Sequence, residues 1–171
     1  PTFSGDYTMS LVAPRTVTPS AEDVPDVDDG GEKVTAGEFW PEIVLSNVRK
    51  EMRITGAVTT SRLKQVVIEA VAHTADQLKQ WQAEQIGAGY TSLAAVPAMV
   101  INDESVKVYR WRRAVYSISR ALLIETFRDV DTTGDAGETR AAAHATQAND
   151  HWRDARWAIS DIQGVVRNSA E

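Results

Sequence analysis

Histidines and carboxylates are the first residues to consider for chemistry, because the chain contains no cysteine. The three histidines are His73, His144 and His151, and only His73 has a glutamate four residues before it, at Glu69. A di-iron site in a helical bundle needs two Glu-x-x-His pairs and two further carboxylates, which this chain does not supply. We therefore expect no metal centre and interpret His73 as a packed or half-exposed helix residue.

The other patterns that carry catalysis are also missing. Asp129, Asp131 and Asp135 are spaced somewhat like a calcium loop, but the closing glutamate of that twelve-residue pattern is absent, which favours a polar turn. The sequence has no glycine-rich phosphate loop, nucleophile elbow or metalloprotease helix. We predict that the protein is not an enzyme and uses no cofactor.

Two groups of arginines remain as candidate functional residues. Arg110, Arg113 and Arg120 have the spacing of one helix face and form a basic stripe. Arg153 and Arg156 lie among acidic residues on a later helix. Surface ion pairs contribute little to stability, so the default interpretation of both groups is a solvated or locally paired face. As alternatives, the stripe could contact phosphate, or either group could belong to a protein interface, where Arg, Trp and Tyr are concentrated.

The basic stripe belongs to a helix predicted from Val106 to Phe127, around which the rest of the chain is organised. Apolar residues recur there at spacings of three and four in one row: Val108, Trp111, Val115, Ile118 and Leu122. A second apolar row lies beside the first: Tyr109, Tyr116, Leu123 and Phe127. Two rows make the buried surface wide, so we expect neighbouring helices on several sides.

Three further helices are predicted around this one. A short helix begins at Leu45 or Ser46 and ends at Met52, with Pro41 suited to the first turn of a helix and with Phe39 and Trp40 anchoring the entry to the core. A long helix runs from a threonine cap at Thr59 or Thr60 to about Ile86, and the last runs from about Glu138 to Gln163.

The segment 87–104 is predicted to be a loop, with Asn102 or Asp103 capping the central helix. Tyr90, Leu93 and Val96 are expected to insert into the core. No strand pair is needed anywhere. The predicted fold is all-α, a small bundle of three long helices plus one or more short ones.

Residues 1–37 are predicted to form an extended, acidic and proline-rich arm, and residues 38–171 a helical domain. The arm has seven acids and two bases, a net charge of −5, while the whole chain has −6. Within the arm Tyr7, Met9 and Leu11 alternate with polar residues, which is typical of a strand that lies on a partner surface.

The charge balance bears on two alternative functions. A near-neutral body argues against a DNA-binding regulator, as does the lack of a helix-turn-helix with a basic second helix. An enzyme that binds an anionic small molecule would need Arg110, Arg113 and neighbouring bases to converge on one pocket with a buried carboxylate. No membrane span or secretory signal is predicted.

Several motifs, in this order, resemble the head completion (GPL) family of contractile-tailed bacteriophages. They are Phe39–Ile43, Met52–Thr59 with Arg62-Leu63, Trp81, Gly89-Tyr90 with Leu93 and Val96-Pro97, Tyr109 with Arg112–Val115, Asp129–Thr133 and Arg153–Ile162. The resemblance covers about residues 39–167 and does not extend to the arm.

The resemblance implies a virion structural protein in the neck, made in the host cytoplasm. Such a head-to-tail connector joins the portal vertex, helps retain packaged DNA and offers a platform for the tail. The expected partners are copies of itself in a dodecameric ring, the portal protein, a tail-side neck or tail terminator protein, and DNA that passes without sequence-specific binding; no membrane is expected. The candidate interface residues are Tyr7, Met9, Leu11, Arg110, Arg113, Arg120, Arg153 and Arg156.

Overall fold

The computed structural model describes residues 28–127 and 135–165, and these form five helices and two small antiparallel sheets. The helices are α1 (Leu45–Glu51), α2 (Thr60–Gln77), α3 (Lys79–Gly87), α4 (Val106–Phe127) and α5 (Asp135–Gln163). The strands are β1 (Lys33–Val34), β2 (Ile43–Val44), β3 (Val100–Ile101) and β4 (Glu104–Ser105). Three long helices and two short ones confirm the predicted all-α bundle.

Helix α4 has the bounds predicted from its apolar periodicity and packs against both α2 and α5. Trp111, Val115 and Ile118 in its first row are fully buried. The second row is only partly right, since Tyr116 is buried but Tyr109 is exposed. Tyr109 lies in the first turn of α4, where an open cleft replaces the packing partner that the periodicity implied.

The long helix predicted from about Thr60 to Ile86 is wrong as a single element. The chain leaves helical geometry at the fully buried Leu78, which separates α2 from α3. One turn earlier the hydroxyl of Thr74 donates to the carbonyl of Ala70 at 2.8 Å, a contact that bends helices. The break places Trp81 with its ring 6.4 Å from that of Phe39, so α3 contacts the segment that leads into the bundle.

The prediction that no strand pair is needed is also wrong. β1 pairs with β2 in the register Lys33 with Val44, and β3 pairs with β4 in the register Val100 with Ser105. Pro41 precedes strand β2 and not the first turn of a helix. Strands of two residues give too weak an alternation to be read from sequence.

The prediction that Asn102 or Asp103 caps α4 is wrong. Both residues form the turn between β3 and β4. Their φ angles are 51° and 60°, the left-handed values of a type I′ hairpin turn. Asn and Asp are favoured both in such turns and at helix N-caps, which explains the error. Near the start of α4 it is Ser105 whose hydroxyl accepts the backbone N–H of Lys107, at 3.2 Å.

An aromatic cluster joins the entry segment to the middle of the bundle. The rings of Trp40 and Trp111 stack with centroids 4.3 Å apart, and the ring of Phe39 meets that of Trp40 edge to face at 4.7 Å. The indole N–H of Trp111 donates to the carbonyl of Pro41 at 3.1 Å. The expectation that Phe39 and Trp40 anchor the entry to the core is therefore confirmed.

Helix α5 packs along α4 with one face. Ala148, Ala155, Ile159 and Ile162 are buried. Small residues in the first half of this face let the two helices approach closely, and larger ones fill the second half. The segment with Asp129 and Asp131 lies outside the described residues.

Candidate interaction surface

The basic stripe of α4 is not a continuous basic surface. Ser117 in its middle is buried, Arg110 and Arg120 are half-buried, and Arg113 is exposed. Arg110 faces the C-terminal end of α5, where its Nε lies 3.9 Å from a carboxylate oxygen of Asp161. The stripe therefore contributes to packing between helices at one end and to the surface at Arg113.

Lys107 and Arg110 both approach the last carbonyl groups of α5. Lys107 Nζ donates to the carbonyl of Ile162, and Arg110 lies within 3.5 Å of the carbonyl of Asp161. Cations at a helix C-terminus satisfy its unpaired carbonyls and complement its dipole. Burial, helped by the nearby Arg110 charge, lowers the pKa of Lys107. These contacts fix the start of α4 to the end of α5.

The second arginine group is locally paired, as the default interpretation expects. Arg153 lies 3.1 Å from a carboxylate oxygen of Asp150 and 3.5 Å from one of Asp154, and its guanidinium is 5.0 Å from the ring centroid of Trp157. Arg156 is exposed on the same helix. The structure does not bring Arg153 and Arg156 together with the α4 stripe into one site.

A cleft of about 630 Å³ opens between α1, α4 and α5. Its lining includes Glu51 from α1, Arg112 and Arg113 from α4, and His151 and Asp154 from α5. Arg112 is held by both carboxylate oxygens of Glu104, which raises the pKa of its guanidinium. Burial, with the nearby Arg120 charge, lowers the pKa of His151.

The cleft does not have the composition that an anion-binding enzyme would need. Two arginines line it, and Arg112 is already neutralised by Glu104. Its own carboxylates, Glu51 and Asp154, are exposed and half-buried. Arg110 points elsewhere, so the required convergence of three or more bases with a buried carboxylate does not occur there.

A buried ion pair that sequence reasoning missed holds residues 28–32 on the body. Arg49 of α1 donates from Nε and Nη2 to the two carboxylate oxygens of Asp29, at 2.8 and 2.6 Å. Thr60 donates its hydroxyl to the same carboxylate at 2.7 Å. The side chains of Arg49 and Asp29 are 6% and 0% exposed. The hydrogen bond from Arg49 lowers the pKa of Asp29.

This pair also closes the connection between α1 and α2. Arg49 Nη1 donates to the carbonyls of Thr55 and Val58, at 2.8 and 3.0 Å, so one guanidinium holds the acidic segment and the loop together. The predicted arm ends at residue 37, yet residues 28–37 pack on the body in this way. For residues 1–27, including Tyr7, Met9 and Leu11, the arm stays a prediction because they lie outside the described residues.

The β3–β4 hairpin is a second feature that sequence reasoning missed. Met99, Val100 and Ile101 are three consecutive large apolar residues, and all three are exposed. The signal was present as an apolar run followed by Asn-Asp, a pair that suits a hairpin turn. The prediction of a loop over residues 87–104 is therefore wrong for this part of the segment.

Within residues 28–127 and 135–165, no cluster of three or more potential metal ligands occurs. In the same part of the chain, none of the helices combines the length and the apolar character that a membrane span requires.

Comparison with known proteins gives two matches. The family model described as "Phage head completion protein (GPL)" matches residues 34–171. The "Head completion/stabilization protein" of Escherichia phage P2 is 36% identical over 163 residues, which cover 93% of this chain and 96% of that relative. No solved structure matches the chain.

Proposed function

Because the chain belongs to the phage head completion protein (GPL) family, we propose that it is a neck subunit that assembles as a ring on the portal vertex. Family membership makes it a bacteriophage head completion protein, a structural component of the virion and not an enzyme. In the proposed role the ring helps retain packaged DNA and offers the platform to which the tail attaches.

The observation that carries this proposal is the extent of the family match. It runs from residue 34 to residue 171 and so includes all five described helices. A ring needs two different patches on each subunit that meet across one interface. The exposed hairpin with Met99 and the apolar groove lined by Ile68 supply two separate candidates.

The direct test is the mass of the purified protein with and without the portal protein of its phage. We expect a shift to a complex that contains a whole ring, with the dodecameric stoichiometry that matches a portal ring. Sedimentation velocity or native mass spectrometry would measure it. Single copies scattered on the portal, or no binding at all, would contradict the ring.

The proposal extends to the arm. We assign Tyr7, Met9 and Leu11 to a strand that lies on a neighbouring subunit or on the portal. A segment that orders only on assembly enlarges an interface without a folded domain of its own.

Removal of residues 1–27 is expected to weaken assembly on the portal by about tenfold or more, which corresponds to roughly 1.4 kcal/mol of lost contact. The deletion stops before Asp29 because that side chain belongs to the buried pair with Arg49. The free energy of unfolding of the unassembled protein should stay unchanged. Rings of normal stability without these residues would refute the role of the arm.

Proximity to DNA does not require strong binding to it. A channel that must release a genome quickly is better served by a wall without strong phosphate attraction. The buried pairing of Arg49 and the local pairing of Arg110, Arg112 and Arg153 are in keeping with this role. A filter-binding measurement with duplex DNA at low and moderate salt should show weak, sequence-independent retention.

A further inference from the structure

The β3–β4 hairpin projects from the bundle. Side chains alternate between the two faces of a strand, so a strand that lies on a core has one buried residue of every two. Val100 and Ile101 are neighbours in β3, yet they are 64% and 54% exposed, and Met99 before them is 70% exposed. Both faces of β3 are therefore open to solvent.

The hairpin is also held in place from its base. The backbone N–H of Val106 donates to the carbonyl of Met99 at 2.9 Å, and Arg112 of α4 binds both carboxylate oxygens of Glu104. A prearranged element loses little conformational entropy on binding. Three consecutive exposed apolar residues on a fixed hairpin are a liability unless they have a function. Together they indicate a docking element.

An apolar groove of about 430 Å³ lies on another part of the same chain, between residues 33–36 and α2. Ile68, Val71, Ala72 and Ala75 of α2 contribute to its lining, and Ile68 is half exposed. Lys33 and Lys64 stand at its margin and contribute their aliphatic stems. The groove thus offers apolar side chains with basic groups beside them.

Each of the two lysines forms an ion pair with a glutamate, but these exposed pairs do not hold the ammonium groups in one position. Lys33 lies 2.9 Å from Glu42 and Lys64 lies 2.6 Å from Glu32, and all four side chains are about half exposed. Exposed pairs of this kind contribute little to stability, so either ammonium group can turn to another carboxylate. The exposed Asp103 at the tip of the hairpin carries such a carboxylate.

We propose that the hairpin of one copy seats in the groove of a neighbouring copy, with Val100 and Ile101 against α2 and Asp103 beside Lys33 and Lys64. The hairpin does not fill its own groove, because its apolar side chains are exposed in the single chain. Two different complementary patches on one chain give a heterologous contact, which closes into a ring when the rotation permits. The inference rests on the proposed ring and names its contact.

Because the chain contains no cysteine, introduced cysteines can report the contact directly. Full-length Ile101→Cys and Ala72→Cys proteins are mixed, assembled on the portal protein and oxidised. We expect covalent dimers in the mixture and none from either variant alone. A chain with both substitutions should give a ladder of covalent oligomers. In the matched control, Ile86→Cys replaces Ile101→Cys. Ile86 is exposed on α3 and does not line the groove. This variant should not cross-link to Ala72→Cys.

The outcomes separate this contact from the ring itself. A ring of full mass without a link between positions 101 and 72 overturns the hairpin contact and leaves the ring standing. Absence of any ring overturns both. Linking of Ile101→Cys to itself would show a symmetric contact, and linking of Met9→Cys to Ala72→Cys would place the arm in the groove; each contradicts the proposal.

A charge exchange provides a second measurement. Asp103→Lys is expected to weaken assembly several-fold, and Lys33→Glu with Lys64→Glu to do the same. The two sets combined in one chain should assemble better than the Lys33→Glu and Lys64→Glu set alone, since the lysine introduced at position 103 then meets carboxylates beside the groove. Failure of the combination to improve on that set would contradict the pairing of Asp103 with these lysines.

Discussion

Replacement of Arg49 by Met is expected to lower the free energy of unfolding by about 3–5 kcal/mol, the usual cost of breaking a buried ion pair from one side. Met removes the guanidinium but keeps good helix propensity within α1. The variant leaves the Asp29 carboxylate buried with only the Thr60 hydroxyl as side-chain donor. It also removes the two hydrogen bonds that Arg49 donates to the carbonyls of Thr55 and Val58. Urea denaturation of the unassembled protein would measure the loss.

Lys64→Met is the matched control. The pair between Lys64 and Glu32 is also 2.6 Å long, but its side chains are 43% and 45% exposed. We expect a loss of about 0–1 kcal/mol there. Adding Asp29→Asn to Arg49→Met should recover part of the stability, because no unpaired charge then stays buried; Asn tolerates the left-handed φ of 52° at this position. Equal losses in Arg49→Met and Lys64→Met would contradict the argument from burial.

The pH dependence of this pair has a definite sign. Arg49 lowers the pKa of Asp29 in the folded protein below 3.8. The contribution of the pair to the free energy of unfolding is therefore present above pH 3.8 and is lost as the pH falls through the folded-state pKa. In Arg49→Met, burial without the donor should raise this pKa, and the variant then loses stability as the pH rises above 3.8. The gap in unfolding free energy between the two proteins should therefore narrow between pH 7 and pH 3.

Much of the helical core could be predicted from sequence, because a long amphipathic helix repeats its signal several times. In α4 the positions of Val108, Trp111, Val115 and Ile118 agree with one period over three turns, and all four are buried. The same periodicity hides the break at Leu78, because the sequence at the break contains neither Gly nor Pro. The apolar spacing continues through it, since Leu78 is itself a core residue.

The surface features are harder to predict, because they depend on which apolar residues no neighbouring element covers. Tyr109 fits the apolar period of α4 but faces a cleft. Ile101 belongs to an apolar run that would suit a core strand, but its side chain is exposed to solvent. Sequence gives the hydrophobicity of a residue and not whether a neighbour covers it. The Asp29 and Arg49 pair joins residues twenty positions apart, and no local pattern indicates which acid a buried arginine will meet.

The second large effect is expected at Trp111, where a Trp111→Ala protein should lose about 3–5 kcal/mol of unfolding free energy. The residue is fully buried, its ring stacks on Trp40 at an interplanar angle of 9°, and its indole N–H donates to the Pro41 carbonyl. The truncation removes apolar area, leaves a cavity beside the second turn of α4 and leaves the carbonyl of Pro41 without its indole donor. Thermal and urea unfolding would both register the change.

Two variants separate the contributions at this site. Trp111→Phe keeps most of the ring contact but not the N–H, so its loss should be smaller than that of Trp111→Ala. Trp157→Ala removes a tryptophan of α5 that is 39% exposed and should cost about 1 kcal/mol or less. If the losses at Trp111 and Trp157 were similar, the aromatic cluster would not be the element that fixes the entry segment to α4. A large loss at Trp111 alone would show that Phe39–Pro41, which open the Phe39–Ile43 motif, serve to pack the entry segment on α4.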